Sequence, residues 1–177
     1  MSDAVVTLRE ITSANEADVR ALRVAPDQER FVSSVADSLD EAEATPEARP
    51  WFRAIYAGQR PVGFVMLSYD MPPGDPEQPF RYFLWRLLID AGHQGYGYGR
   101  AAMSIVIDQL RGRPGADELV TSVHPGPGSP RRSTGRWGSS RPATGWRTRR
   151  STGSRSSAIR MPELRAAVSC VRGTVEQ

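Results

Sequence analysis

Apolar and polar residues alternate from Val5 to Ile11 as on a half-buried strand, and Asn15 stands at the N-cap position of a helix running through Val19 and Leu22. A second helix is predicted from about Arg30 to Glu43, where Phe31, Val35 and Leu39 recur four apart on one face. Trp51 to Tyr56 and Val62 to Tyr69 are strand-like runs joined by Ala57-Gly58-Gln59-Arg60-Pro61, a turn composition, so an antiparallel hairpin is expected. Asp70 to Pro79 holds four prolines and reads as a loop. Phe80 to Ile89 is the most apolar run of the chain, as a central strand requires. After a glycine-rich stretch, Met103, Val106, Ile107 and Leu110 fall at i, i+3, i+4 and i+7, predicting an amphipathic helix over Arg100 to Arg111 that Gly112 and Pro114 end. Leu119 to Val123 is the last strand-like run. Strands and helices in this order indicate an α/β (α+β) domain with a sheet flanked by helices.

Composition changes this picture at one point. The 177 residues suit one domain. Residues 1–130 carry 12 Arg against 18 Asp and Glu, a balance of −6, whereas residues 131–177 carry 11 Arg against two Glu, a balance of +9. From Pro125 to Arg160 the chain is mostly Gly, Pro, Ser, Thr and Arg, too poor in apolar side chains to offset the entropy of ordering it. The expectation is a folded domain over 1–130 and a disordered tail over 131–177.

Every one of the 23 cationic side chains is Arg, and without Lys neither a phosphate-loop NTPase nor Schiff-base chemistry is open to the chain. One cysteine, Cys170, excludes an intramolecular disulfide and a cysteine zinc cage, and two histidines, His93 and His124, make a poor metal set. No apolar run is long enough for a bilayer and no basic-then-apolar leader opens the sequence, so a soluble, cytoplasmic protein with no membrane partner is expected.

The chemistry concentrates in Gln94-Gly95-Tyr96-Gly97-Tyr98-Gly99-Arg100, between a buried strand and the start of a helix. Main-chain N–H groups and the positive end of the helix dipole attract anionic oxygens there, and glycines let the main chain approach a pyrophosphate closely. Arg100, in the first helical turn, adds a charge-assisted contact. Glycine content alone leaves a plain strand-to-helix connection open. A dinucleotide fingerprint fits poorly, because the spacing is G-x-G-x-G and the preceding strand does not begin a βαβ unit.

The same segment matches Q-x-x-G-x-G, the acetyl-CoA pyrophosphate loop of the GNAT acyltransferases, and the chain resembles that family over about residues 5–130. Leu84 to Asp90 before the loop, Ala101-Ala102-Met103 after it, and Leu22 to Val32 near the start are similar to the bacterial spermine/spermidine acetyltransferase-like branch. The resemblance implies a mixed, mostly antiparallel sheet in which the Phe80 to Ile89 strand splays from the Leu119 to Val123 strand. It implies acetyl-CoA as co-substrate, with pantetheine bonded to the backbone of Leu87, Leu88 and Ile89 and the pyrophosphate on Gln94, Gly95, Tyr96, Gly97, Tyr98, Gly99 and Arg100. Its reaction is direct attack of an amine on the thioester.

The family's usual proton donor to the departing thiolate is a Tyr in F-Y-x-x-L-G-F, just after the last of these strands, where this chain has Arg131-Arg132-Ser133-Thr134-Gly135-Arg136-Trp137-Gly138-Ser139. His124 is the nearest titratable side chain to stand in. Codons taken across residue junctions restore the motif. Arg132/Ser133 permits Phe, Ser133/Thr134 Tyr and Arg136/Trp137 Leu; Trp137/Gly138 must give Gly, and Gly138/Ser139 permits Phe. Residues from about 131 onward therefore read as the product of a one-base deletion or an equivalent two-base insertion, leaving the sheet incomplete. Two other functions stay open: an inactive acetyl-CoA-binding remnant, and a nucleic-acid-binding module through the Arg-rich tail with Trp137 and Trp146, for which no specific nucleic-acid partner is expected. The acidic balance of residues 1–130, with Glu29, Asp37, Asp40, Glu41 and Glu43 near the second helix, suits a small cationic amine such as a polyamine, and Glu29 is the candidate substrate contact. Pairing of two copies into a homodimer is left open.

Overall fold

The computed structural model describes residues 5–72, 80–116, 118–123, 148–151 and 154–160. Its strands are β1 (Val6–Arg9), β2 (Pro50–Ala57), β3 (Arg60–Tyr69), β4 (Tyr82–Ile89), β5 (Glu118–Val123), β6 (Thr148–Ser151) and β7 (Ser154–Arg160), and its helices α1 (Glu16–Arg20), α2 (Val35–Ala44) and α3 (Tyr98–Leu110). One sheet takes the strands in the order β1-β2-β3-β4-β5-β7-β6, with β4 at its centre. The β4–β5 pair is parallel and every other pair is antiparallel.

Each face of the sheet buries its own core. Val19 and Leu22 from the α1 region and Val35 and Ala42 from α2 pack with Ala54, Phe64, Met66 and Leu88. Ala102, Met103, Val106 and Leu110 of α3 pack with Ile55, Val62, Val65, Leu67 and Tyr82 on the other face. The i, i+3, i+4, i+7 stripe of α3 is thus the buried one, as its spacing predicts. The hairpin turns at Gly58, where φ is +62°, a conformation that favours glycine.

The elements depart from the sequence reading in four places. The single helix expected over Arg30 to Glu43 is a 3₁₀ turn, Glu29–Phe31, then an extended Val32, then α2. Ser34 breaks it by accepting a hydrogen bond from Asp37 N at 3.1 Å, the N-cap bond that starts α2. Asn15 occupies the N-cap position of α1, but its side chain accepts from Thr12 N at 2.8 Å and donates to Glu10 O at 2.9 Å, bracing the preceding turn instead. The helix expected from Arg100 begins at Tyr98, because Ala101 N already donates to Gly97 O at 3.0 Å.

The fourth departure is in the tail. No strand is expected beyond Pro130, yet β7 pairs along β5 from Glu118↔Arg160 to Val123↔Arg155, and β6 pairs with β7. Strand pairing uses main-chain groups that every residue except proline carries, and neither β6 nor β7 contains Pro or Gly. The expected boundary near Pro130, His124 and residues 131–147 and 161–177 of the expected disordered tail lie outside the described residues.

Candidate functional site

Two irregularities shape the middle of the sheet. The register of β3 on β4 pairs Met66 with Arg86 but Leu67 with Leu84, so Trp85 is an extra residue, a bulge in β4. The bulge re-aims the strand: Leu87 and Ile89 join the α3 core, and Leu88 joins the α1/α2 core. On its other side β4 pairs with β5 only at Phe83↔Val120 and Leu84↔Thr121, with the Thr121 hydroxyl donating to Leu84 O at 3.2 Å. Beyond Leu84 the two strands share no further pair among the described residues. Over Arg86 to Leu88 the edge of β4 that would face β5 has no β5 partner among the described residues, while Trp85 O accepts from Arg86 Nη1 at 2.9 Å and Ile89 O from the Gln94 amide.

The glycine loop begins where β4 ends, and several contacts pin it. Asp90 N donates to Val62 O at 2.9 Å and Ala91 N to Arg23 O at 2.7 Å. The Asp90 carboxylate accepts from Arg23 N at 3.1 Å and Gly92 N at 3.2 Å and lies 2.9 Å from His93 Nδ1. Burial pushes the Asp90 carboxyl up, but the bonds from Arg23 N, His93 and Gly92 N outweigh it and hold the group below its usual range. The Gln94 amide donates to Ile89 O at 3.0 Å and to Gln28 Oε1 at 2.7 Å, so this side chain clamps the loop to the end of β4 and to the α1–α2 connection.

Gly95 and Gly97 stand at φ +84° and +80°. A Cβ built at either meets nothing within 4 Å, so these glycines are required by conformation, and the space above them is open to a ligand. Gly99 lies inside the first turn of α3, where an added Cβ comes 3.4 Å from Ile89 Cγ1, an ordinary contact. The N–H groups of Tyr98 and Gly99 precede the first intrahelical bond and point out of the helix end. Arg100 is half-buried in the same turn.

Glu29 lies across the sheet from α3. With Leu22, Arg23, Val32, Asp37 and Leu88 it lines a cavity of about 300 Å³, so two carboxylates flank a space whose floor is the β4 residue next to Leu87. A more open depression of about 660 Å³, lined by Glu43, Arg49, Trp51, Tyr69 and Asp70, lies toward the start of β4, because Tyr69 pairs with Tyr82 there. It shares no residue with the loop. Leu87 to Ile89, the glycine loop and Glu29 thus converge on the C-terminal end of β4. Asp90, Gln28 and the Trp85 bulge escaped sequence reasoning; Asp90-Ala-Gly-His93, an Asx-turn pattern, was the one local signal.

A family model described as Acetyltransferase (GNAT) family matches residues 10–129. The chain belongs to this family. GNAT proteins use acetyl-CoA as the acetyl donor, and the chain is by family an acetyltransferase. Among solved structures, an acetyltransferase from Thermus thermophilus superposes with a TM-score of 0.62 at 21% identity, over 90% of this chain and 99% of that one. An acetyltransferase from Agrobacterium tumefaciens str. C58 gives 0.57 at 17% identity, over 90% and 92%. yncA from Salmonella typhimurium, solved with its cofactor acetyl-CoA, gives 0.52 at 17% identity, over 88% and 94%. No curated protein matches the chain. The residues present fit the family's donor: two positive-φ glycines with open space above them, a helix N-terminus, and a strand edge that has no partner strand beyond Leu84 among the described residues. No helix among the described residues is long and apolar enough to cross a membrane.

Proposed function

We propose that this GNAT domain is an N-acetyltransferase that acts on a primary amine, with polyamines such as spermidine as the substrate class. The observation that carries this reading is the parting of β4 from β5 beyond Leu84, beside the glycine loop on one side and the Glu29–Asp37 cavity on the other. Acetyl-CoA, when bound, supplies an acetyl group activated as a thioester. The N–H groups of Tyr98 and Gly99, with the side chain of Arg100, hold the pyrophosphate, and Gly95 and Gly97 keep the main chain in the shape that allows it. The main chain of Leu87 and Leu88 holds the pantetheine arm, and Ile89 O, already accepting from Gln94, fixes the loop relative to that arm.

Glu29 and Asp37 against the single cation Arg23 leave the lining of the cavity beside Leu88 net negative, which favours an ammonium and leads a cationic amine to the far side of the donor strand. An aliphatic amine has a pKa of about 10, so a base must take its proton before attack on the thioester carbon. In the chain as it stands His124, which lies outside the described residues, is the candidate for proton transfer; the Tyr of the displaced frame is absent from this sequence, which has Ser133 and Thr134 there. The first test is thermal denaturation with and without CoA. The expected outcome is stabilisation by CoA; no shift in the parent chain overturns the donor assignment.

We also infer that the residues from about 131 onward are displaced in frame. Support comes from the family match, which ends at residue 129, two positions before the displaced reading begins. Resequencing across the codons for Gly128 to Thr144 tests this directly. In a frame-restored protein the Tyr at the Ser133/Thr134 junction returns, and spermidine-dependent release of CoA thiol should rise well above that of the chain as it stands. Changing that Tyr to Phe should lower it again. Equal activity in the parent and restored proteins removes the frame account.

A further inference from the structure

Tyr96 is one of two large apolar side chains left exposed among the described residues, 66% accessible at the tip of the glycine loop. Gly95 and Gly97 flank it, both at positive φ, so no neighbouring side chain covers it. One partner orders it: its ring stacks on that of Tyr98 with centroids 5.7 Å apart and 20° between planes. Tyr98, half-buried, packs against the α3 core, so the pair is anchored at one end and open at the other.

The geometry points to Tyr96 as the stacking platform for the adenine of the donor, an inference that rests on the donor assignment above. The direction of the bound molecule follows from the site. On that assignment the main chain of Leu87 to Ile89 would hold its pantetheine arm, and the N–H groups at the start of α3 would hold its pyrophosphate. The nucleoside, joined to the other end of the pyrophosphate, must leave the loop on the side away from β4. Tyr96 lies in the loop just before α3, between Gly95 and Gly97, with its aromatic surface exposed to what leaves the pyrophosphate there. A purine stacks on such a ring without needing hydrogen-bond partners, and burying both faces removes apolar surface from water. Tyr96 is therefore a donor-binding residue: it touches the nucleoside end of the donor, far from the reacting thioester, and selects CoA over shorter thiols that carry the same pantetheine arm.

Isothermal calorimetry of the full chain with CoA and with 4′-phosphopantetheine, which keeps the pantetheine arm and one phosphate but lacks the second phosphate and the 3′-phosphoadenosine, tests this. Tyr96→Ala should weaken CoA binding about tenfold and leave 4′-phosphopantetheine binding unchanged. Tyr96→Phe, which keeps the ring, should keep the parent affinity for CoA. Parent-like CoA affinity in Tyr96→Ala overturns the inference, and so does an equal loss for both ligands, which would mean that the substitution deforms the loop. A parent chain that binds neither ligand overturns the donor assignment itself, and this inference with it.

Discussion

At Gly97 the main chain stands at φ +80°, with open space where a Cβ would go. The cost of a side chain there is conformational, on the order of 1–2 kcal/mol for an L residue forced left-handed. Gly99 is helical, with an ordinary contact at its Cβ position, so the two glycines should respond differently. Gly97→Ala is expected to lower the melting temperature and lose most of the stabilisation by CoA, whereas Gly99→Ala keeps the fold and loses less of it; differential scanning fluorimetry with and without CoA compares them. Asp90 is the second residue on which the loop depends. Its folded state favours the carboxylate, so its contribution is present above the unfolded carboxyl pKa of about 4 and is lost as pH falls through the lower folded value. Asp90→Ala is expected to cost about 2–3 kcal/mol in urea unfolding at pH 7, with the gap to the parent narrowing by pH 3. A constant gap across that range would remove the ionised carboxylate as its cause.

The element on which the site turns is β4, and its position depends on the strand beside it. Gly63 of β3 pairs with Ile89, and a Cβ built there falls against Leu88 O and lies 2.7 Å from Ile89 Cδ1. Main chain cannot move aside as a flexible side chain can. Gly63→Ala is expected to cost about 1–3 kcal/mol by overpacking and to push the end of β4 and the attached loop outward. CoA affinity should fall in this variant even under conditions where circular dichroism shows the fold intact. Retention of full affinity would mean that β4 tolerates displacement at Leu88 and Ile89.

For the whole molecule, the charge is divided between −6 over residues 1–130 and +9 over residues 131–177. The acidic part includes Glu29 and Asp37 at the cavity, and fields from surface carboxylates are screened over about 10 Å at 0.1 M salt. Glu29→Gln combined with Asp37→Asn is expected to raise KM for spermidine about tenfold, with kcat changed little, and to flatten the salt dependence of KM; steady-state kinetics at about 20 mM and about 200 mM salt reads both. A KM unmoved by the double change removes the cavity as the amine site.

Local patterning was enough to determine the hairpin, the stripe of α3, the central strand and the glycine loop, because period-2 and period-3.6 repeats and glycine conformations are written within a few residues. The glycines also singled out Gln94 to Arg100 as a candidate anion site, whereas Leu87 to Ile89 rest on the family resemblance and Glu29 on the acidic balance near the second helix. That Gln94 clamps Ile89 O to Gln28, that Asp90 bridges to Arg23, and that Leu88 meets Glu29 and Asp37 across a cavity depend on contacts between residues far apart in the chain. The bulge at Trp85, the parting of β4 from β5 and the pairing of β7 on β5 are likewise matters of register between strands. Register is set by main-chain pairing and by the packing of two faces at once, and no window of sequence contains both partners.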